Sequence, residues 1–179
     1  MKILAICGSL RARSSNLAVL QAATMLAPQS LDITLFDGLE ALPHFNPDRD
    51  TEIPPSPVLK LREAVGRADG LLICSPEYAR GVAGVMKNAL DWLVSSFEFP
   101  DKPVAVINAS QRSTHADAAL RLTLETMSAR LVEEASITLP LLGRNLDADG
   151  ILQDSQVSSQ LRTALEHMHR FIIGPAGKL

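Results

Sequence analysis

The sequence predicts an α/β fold in which helices cover both faces of a five-stranded parallel sheet. Two observations support this prediction: short apolar runs alternate with helical segments along the chain, and the apolar runs are of two kinds. The chain has 179 residues, and 46% of them are hydrophobic, which suits one domain with a full core. We therefore expect a single domain over residues 1–179.

The five predicted strands differ in the pattern that marks their place in the sheet. The first, third and fourth contain the continuously apolar runs ILAIC, GLLIC and VAVIN, which indicate burial on both faces and a central position. The second and fifth, LDITLF and ASITLP, alternate apolar and polar residues, which favours the edges. Right-handed crossovers then favour the order 2-1-3-4-5, a flavodoxin-like three-layer sandwich.

The predicted helices follow the strands along the chain. We expect Ser56 to cap the second helix and Pro57 to occupy its first helical position. The proline-rich segment 37–57, which precedes this helix, is too long for an ordinary connection, so we expect it to cover a sheet edge or line a pocket. The helices are predicted over residues 14–27, 57–68, 84–97, 114–130 and 154–173.

The helix predicted over 84–97 is apolar around much of its circumference. A helix of this kind packs against a second partner besides the sheet. We favour a subunit interface, and hence a homodimer or homotetramer. The alternative is a covering loop from the same chain.

Bulk properties exclude several classes of function. The net charge is −3, which gives no support to a nucleic-acid partner. No apolar run approaches the length of a membrane span, and the apolar start leads directly into GSLR without a cleavage site, so we expect a cytoplasmic protein. Cys7 and Cys74 each end an apolar run and are expected to be buried. The four histidines show no metal-ligand spacing, so no metal site is predicted.

Three loops are expected to meet at one corner of the predicted sheet. Ligands of open parallel sheets bind beyond the carboxyl ends of the strands, where the strand order reverses. The loops over residues 8–16, 75–84 and 108–115 follow the first, third and fourth strands. All three are rich in Ser, Gly, Asn or Arg, so topology and residue chemistry select the same corner.

The first of these loops, GSLRARSSN, carries the chemistry of a phosphate site. Free backbone N–H groups and the positive dipole end of the following helix point to the same place. Neither G-x-G-x-x-G nor G-x-x-x-x-G-K-[ST] is present, which favours a single terminal phosphate over ATP or GTP. A serine-rich helix cap with two solvated arginines is the alternative. The groups suited to phosphate belong to Gly8, Ser9, Arg11, Ser14, Ser15 and Asn16.

The second loop, SPEYARGVAGVMKNALDWL, together with GSLRARSSN, resembles the NADPH-dependent FMN reductase family of flavodoxin-like proteins. The resemblance covers nearly the whole chain. It implies that the first loop holds the FMN phosphate, that the second lines the isoalloxazine and ribityl side, and that the third completes the site. The FMN-binding residues implied are Ser9, Arg11, Ser14, Ser15, Asn16, Pro76, Glu77, Tyr78, Ala79, Ser110, Gln111 and His115.

The resemblance also implies a reaction. NADPH or NADH passes a hydride to FMN, and the electrons then go to a small acceptor: a quinone, free flavin, chromate or an azo compound. No catalytic side chain is certain; Tyr78 and Arg80 are the candidates that could border the nicotinamide or the acceptor. A non-enzymatic flavodoxin-type electron carrier and a flavin-less binding module remain as alternatives.

The chain departs from the family pattern in the second and in the third loop. Ala79 stands where the family usually has Asn, and the third loop, NASQRSTH, lacks the glycines of the family. We expect Gln111, Arg112 and His115 to narrow the flavin site or add polar contacts.

Overall fold

The computed structural model describes residues 1–174 and contains a five-stranded parallel sheet with helices on both faces. Three short 3-10 turns, Leu39–Ala41, Pro47–Arg49 and Glu133–Ala135, lie in the connections. The strands are β1 (Lys2–Cys7), β2 (Asp32–Phe36), β3 (Gly70–Cys74), β4 (Glu77–Tyr78), β5 (Gly81–Val82), β6 (Pro103–Val106) and β7 (Arg130–Leu131). The helices are α1 (Ser15–Leu26), α2 (Ser56–Arg67), α3 (Gly84–Asp91), α4 (Thr114–Thr126), α5 (Ala148–Gln153) and α6 (Ser155–Ile173).

The sheet has the order β2-β1-β3-β6-β7 with every pairing parallel. This order confirms the predicted flavodoxin-like arrangement, because β6 and β7 are the fourth and fifth strands of the sheet. All five residues of β3 are buried, whereas β2 at one edge is exposed or half-buried. The apolar pattern therefore distinguished the central strand β3 from the edge strand β2, since only central strands are covered on both faces.

Two hydrophobic cores lie on opposite faces of this sheet. Alternate strand residues point to opposite faces, so Ala5 and Leu72 join the core under α1, α5 and α6. Leu4 and Ile73 join the other core, under α2, α3 and α4. The sheet edge that carries the loops after β1, β3 and β6 is thus held rigidly from both sides.

None of the helices in residues 1–174 combines the length and apolar character needed to cross a membrane.

The edge strand predicted as ASITLP differs in the structure. β7 begins earlier, at Arg130, and a 3-10 turn then separates it from Thr138, which forms an isolated bridge with Asn108. The reason is Ser136, whose hydroxyl accepts a hydrogen bond from the Val106 N–H (3.1 Å) and donates one to the Val132 carbonyl (2.9 Å). A side chain thus replaces the backbone ladder at this point of the edge.

Several predicted helix ends are also corrected. α2 begins at Ser56, with Pro55 at the cap position, and the Ser56 hydroxyl does not cap it. α3 ends at Asp91 rather than at residue 97, because the Trp92 carbonyl is taken by the Arg62 guanidinium (2.7 and 3.1 Å). α4 ends at Thr126, before Ser128 turns to a positive φ of 64°. The last helix is preceded by the short α5, which the sequence pattern did not predict.

Part of the proline-rich segment covers α3. The Pro43 carbonyl accepts hydrogen bonds from the Trp92 indole (2.8 Å) and from the Asn88 amide (3.0 Å). Phe45 packs edge-on against Trp92, with ring centroids 5.0 Å apart. Trp92 is therefore buried by a segment of the same chain, which is the alternative to a subunit interface. Val94 and Phe97, beyond the end of α3, are exposed.

Asp50 binds the later part of the proline-rich segment to α2 and to the residues that follow α3. Its carboxylate accepts hydrogen bonds from Arg62 (2.8 Å) and from the Ser95 hydroxyl. Burial by itself raises the pKa of Asp50, but the hydrogen bonds from Ser95 and Arg62 and the charge of Arg62 outweigh it, so the pKa is lowered. A carboxyl group with a lowered folded-state pKa stabilises the fold above its unfolded pKa.

We expect Asp50→Asn to lower the free energy of unfolding by about 1.5–3 kcal/mol at pH 7, the range for a charged hydrogen bond. The difference from wild type should shrink as the pH falls below about 4 and through the folded-state pKa, because both proteins are then neutral at this position. Urea unfolding at several pH values measures it. Glu63→Gln is the control, since Glu63 forms an exposed pair with Arg67 that contributes little. If the difference in unfolding free energy between Asp50→Asn and wild type is the same at every pH, the charge of Asp50 does not stabilise the fold.

Candidate functional site

The three predicted loops follow adjacent strands and lie side by side at the carboxyl edge of the sheet. Gly8, the first residue after β1, donates its N–H to the Cys74 carbonyl (2.8 Å) at the end of β3. Ile107, directly after β6, donates its N–H to the Ile73 carbonyl (2.8 Å). The backbone hydrogen bonds of the sheet therefore extend into the loops and fix where each one starts.

The first loop is ordered by its own side chains. Ser14 caps α1 by accepting from the Leu17 N–H (3.4 Å), and the Ser9 hydroxyl accepts from the Arg11 N–H (3.4 Å). Ser9 and Ser14 are buried, whereas Arg11 is exposed. The first turn of α1 contains no acidic residue, so nothing in it opposes an anion. Preformed hydroxyls, free helix N–H groups and an exposed guanidinium are the donor set that a phosphate requires.

The side chain of Asn16, in the first turn of α1, is oriented by a residue at the end of β3. The Cys74 thiol donates a hydrogen bond to the Asn16 carbonyl oxygen Oδ1 (3.2 Å). Burial raises the pKa of the Cys74 thiol well above its ordinary value, so the thiol keeps the proton it donates. With Oδ1 occupied, the Asn16 amide nitrogen is the end that is free to donate to a ligand.

A polar cleft of about 510 Å³ opens beside this loop. One wall contains Arg11, Arg13, Ser14 and Ser15, and the opposite wall is the segment Asn145–Asp147 before α5. Sequence reasoning missed this second wall, because it lies about 130 residues further along the chain. The signal that could have located it is Asp147, which caps α5 by accepting from the Gly150 N–H (2.8 Å).

The second loop forms a β-hairpin that the sequence analysis did not predict. Glu77 pairs with Val82 and Tyr78 with Gly81 in the antiparallel pair β4–β5. The two turn residues, Ala79 and Arg80, have positive φ values of 49° and 60°, as a type I′ turn requires. This turn favours Asn and Gly, so Ala-Arg carried no signal. The asparagine usual in the family suits this conformation better than Ala79 does.

We expect Ala79→Gly to raise the free energy of unfolding by about 1 kcal/mol, because a left-handed conformation costs an L-residue about that much. Ala119→Gly is the matched control. Ala119 is exposed within α4, where glycine should lower stability by about the same amount. Thermal or urea unfolding compares the two variants. Equal losses in both would contradict the strained turn.

The third loop is organised by Asn108 in place of the family's glycines. Buried Asn108 accepts from the Ser110 N–H (3.0 Å) and donates to the Ser113 carbonyl (3.3 Å). The Ser110 hydroxyl in turn accepts from the Arg112 N–H (3.2 Å). Sequence reasoning assigned no role to Asn108, although a polar residue at the end of a buried strand is the signal that marks it. Gln111 and His115 lie exposed at the surface of the loop.

The structure places the predicted site residues in three groups. Ser9, Ser14 and Asn16 lie in the first loop with Arg11 and Ser15. The hairpin group consists of Pro76, Glu77, Tyr78, Ala79 and Arg80, of which Tyr78, Ala79 and Arg80 are exposed. The third loop carries Ser110, Gln111 and His115. Within residues 1–174, no group of three or more His, Cys, Asp or Glu side chains is arranged to hold a metal ion.

Comparisons with known proteins identify the family of this chain. A family model described as NADPH-dependent FMN reductase matches residues 1–141. An NAD(P)H-dependent FMN reductase of Pseudomonas aeruginosa is 33% identical over 177 residues, covering 96% of this chain and 95% of the relative. A 2-hydroxy-1,4-benzoquinone reductase of a Burkholderia species is 29% identical, with 93% of each chain covered.

A solved structure shows the same fold over nearly the whole length. The flavoenzyme NAD(P)H:(acceptor) oxidoreductase FerB from Paracoccus denitrificans superposes with a TM-score of 0.82 at 26% identity, covering 96% of this chain and 97% of FerB. The resemblance that GSLRARSSN and SPEYARGVAGVMKNALDWL predicted is therefore confirmed. The chain belongs to the NADPH-dependent FMN reductase family.

Proposed function

We propose that this protein is an NAD(P)H-dependent flavin oxidoreductase that uses FMN to pass electrons to a small acceptor. The family description and the names of its relatives, an FMN reductase and a benzoquinone reductase, support this proposal. The observation that carries it is the first loop, where buried hydroxyls, an exposed arginine and the start of α1 converge at the carboxyl edge of the sheet. These are the groups that fit a phosphate.

At the phosphate end, Ser9, Arg11, Ser14, Ser15 and Asn16 would hold FMN. The hydroxyl of Ser14 accepts from the helix backbone, so its proton is free to donate to a phosphate oxygen. The Asn16 amide nitrogen is oriented for the same purpose by Cys74. Arg11 would close over the phosphate from outside as a forked cation.

At the ring end, FMN when bound supplies the hydride chemistry, so the side chains need only position it and limit the access of water. Pro76, Glu77, Tyr78 and Ala79 would line one side through the hairpin. Ser110, Gln111 and His115 would complete the other side. Tyr78 and Arg80, at the exposed tip of the hairpin, would border the place that NAD(P)H and the acceptor occupy in turn.

We further propose that residues 1–179 form one flavodoxin-like FMN-binding domain in a cytoplasmic protein. The two cores share a single sheet, which supports one folding unit; residues 175–179 lie outside the described part of the chain. A homodimer or homotetramer is proposed from Val94 and Phe97, two large apolar side chains that lie exposed just beyond the end of α3. Analytical ultracentrifugation of the wild type and of Phe97→Ser tests this proposal. The wild type should be a dimer or tetramer and the variant should dissociate more readily, whereas a monomeric wild type would refute the proposal.

The experiment that tests the proposed function is NAD(P)H oxidation by the purified, FMN-loaded protein with a quinone, free FMN, chromate or an azo dye as acceptor. Turnover that requires both FMN and an acceptor is the expected result. Bound FMN without turnover would favour the non-enzymatic electron carrier. A protein that fails to take up FMN would favour the flavin-less binding module.

A further inference from the structure

We propose that Glu77 is a positioning residue, which fixes the β4–β5 hairpin to the start of α4 and so sets the direction of the Tyr78 side chain. The inference deepens the proposed function and rests on it. The sequence resemblance placed Glu77 among the residues that line the flavin. The structure turns its carboxylate towards a helix, so Glu77 would line the flavin through its backbone.

The carboxylate of Glu77 caps α4 across a long stretch of chain. Its oxygen Oε2 accepts a hydrogen bond from the backbone N–H of Ala116 (2.9 Å), 39 residues further on. The residue at the local cap position, Ser113, makes no side-chain capping bond. Glu77 therefore satisfies a helix N–H that the local sequence leaves free, and its negative charge faces the positive end of the helix dipole.

The hairpin needs such an attachment. β4 and β5 have two residues each, and an isolated two-stranded hairpin of this size is not stable in water. Its turn also carries the two residues with positive φ, Ala79 and Arg80. Both of its strands contact α4. The charged hydrogen bond from Ala116 is thus a fixed point between the hairpin and the rest of the protein.

The attachment has a consequence for the neighbouring residue. Successive side chains of a strand point to opposite faces, so Tyr78 is directed away from α4 when Glu77 is directed towards it. Tyr78 is accordingly 51% exposed. His115 lies in the first turn of the helix that Glu77 caps. Glu77 therefore couples the second loop to the third and holds Tyr78 at the mouth of the flavin site.

The test compares Glu77→Ala and Glu77→Gln with wild type and with Glu63→Ala, a control at an exposed position of α2. Hydrogen exchange of residues 77–82 and of the Ala116 amide is measured without FMN. FMN affinity and the KM for NADPH are measured with it. We expect Glu77→Ala to increase exchange at these sites and to weaken FMN or NADPH binding roughly tenfold, as the loss of a charged hydrogen bond implies.

Glu77→Gln keeps a carbonyl acceptor and should restore most of the exchange protection and binding. A lower melting temperature in Glu77→Ala with unchanged FMN affinity and unchanged KM would mean a merely structural role and overturn the proposal. Unchanged exchange at residues 77–82 would also overturn it. If wild type itself does not bind FMN, the proposed function fails, and the exchange data still decide whether Glu77 holds the hairpin.

Discussion

Gly8→Ala is expected to displace the first loop, to weaken FMN binding at least tenfold and to lower stability by about 1–3 kcal/mol, the usual range for overpacking. A Cβ at residue 8 would lie 2.3 Å from the Ser75 hydroxyl oxygen, 2.7 Å from its Cβ and 3.1 Å from its Cα. The Gly8 backbone cannot retreat easily, because its N–H is bonded to the Cys74 carbonyl. The hydroxyl and guanidinium groups that follow in the first loop must move instead.

Two further variants isolate this cause. Adding Ser75→Gly to Gly8→Ala removes the two closest atoms, so part of the stability and FMN affinity should return. Gly84→Ala introduces the same methyl group where no atom lies within 4 Å, at the first position of α3, and should be neutral or stabilising by up to about 1 kcal/mol. Urea unfolding and fluorescence titration with FMN provide both quantities. Wild-type behaviour of Gly8→Ala would show that the close approach is unimportant.

Arg11→Ala is the second change with a large expected effect. A charged hydrogen bond contributes about 1.5–3 kcal/mol, so FMN affinity should fall about 10- to 150-fold. Arg11 is exposed, and the melting temperature of the FMN-free protein should therefore stay the same. Arg11→Lys should recover only part of the affinity, because an ammonium group lacks the planar fork.

The control for Arg11 is Arg67→Ala, at an exposed position on α2 that pairs with Glu63. It removes the same charge far from the first loop and should leave FMN affinity unchanged. Equal affinity losses in Arg11→Ala and Arg67→Ala would indicate general electrostatic attraction. An unchanged affinity in Arg11→Ala would place the phosphate elsewhere.

The strand order could be predicted from the sequence because the burial of a strand determines its pattern of apolar and polar residues. GLLIC is apolar at every position and lies at the centre of the sheet, while LDITLF alternates and lies at an edge. The fifth strand could not be placed in the same way. Its pairing is interrupted by the hydroxyl of Ser136, and a single side-chain hydrogen bond leaves no periodic pattern.

The candidate site shows the same division. A phosphate site in the first loop could be predicted because its candidate donors are contiguous in GSLRARSSN and precede a helix, and it stays a prediction. The hairpin was missed because its turn, Ala79-Arg80, has none of the residues that such turns prefer. The cap that Glu77 provides to α4 joins residues 39 positions apart, and a contact of this kind depends on how the strands and helices pack.

Contacts between residues distant in sequence determine what covers the buried side of α3. An apolar circumference predicts a second partner but does not say which one. The hydrogen bonds from Trp92 and Asn88 to the Pro43 carbonyl identify a segment of the same chain. The pair between Asp50 and Arg62 holds that segment in place, and neither contact is local in sequence.

The central claim is that the loop over residues 8–16 binds the phosphate of FMN. The most direct test is to titrate the flavin-free protein with FMN and with riboflavin, which differs from FMN only in lacking the phosphate. More than tenfold tighter binding of FMN is predicted, since at least one charged hydrogen bond depends on that group. Equal affinities for the two flavins would contradict the claim.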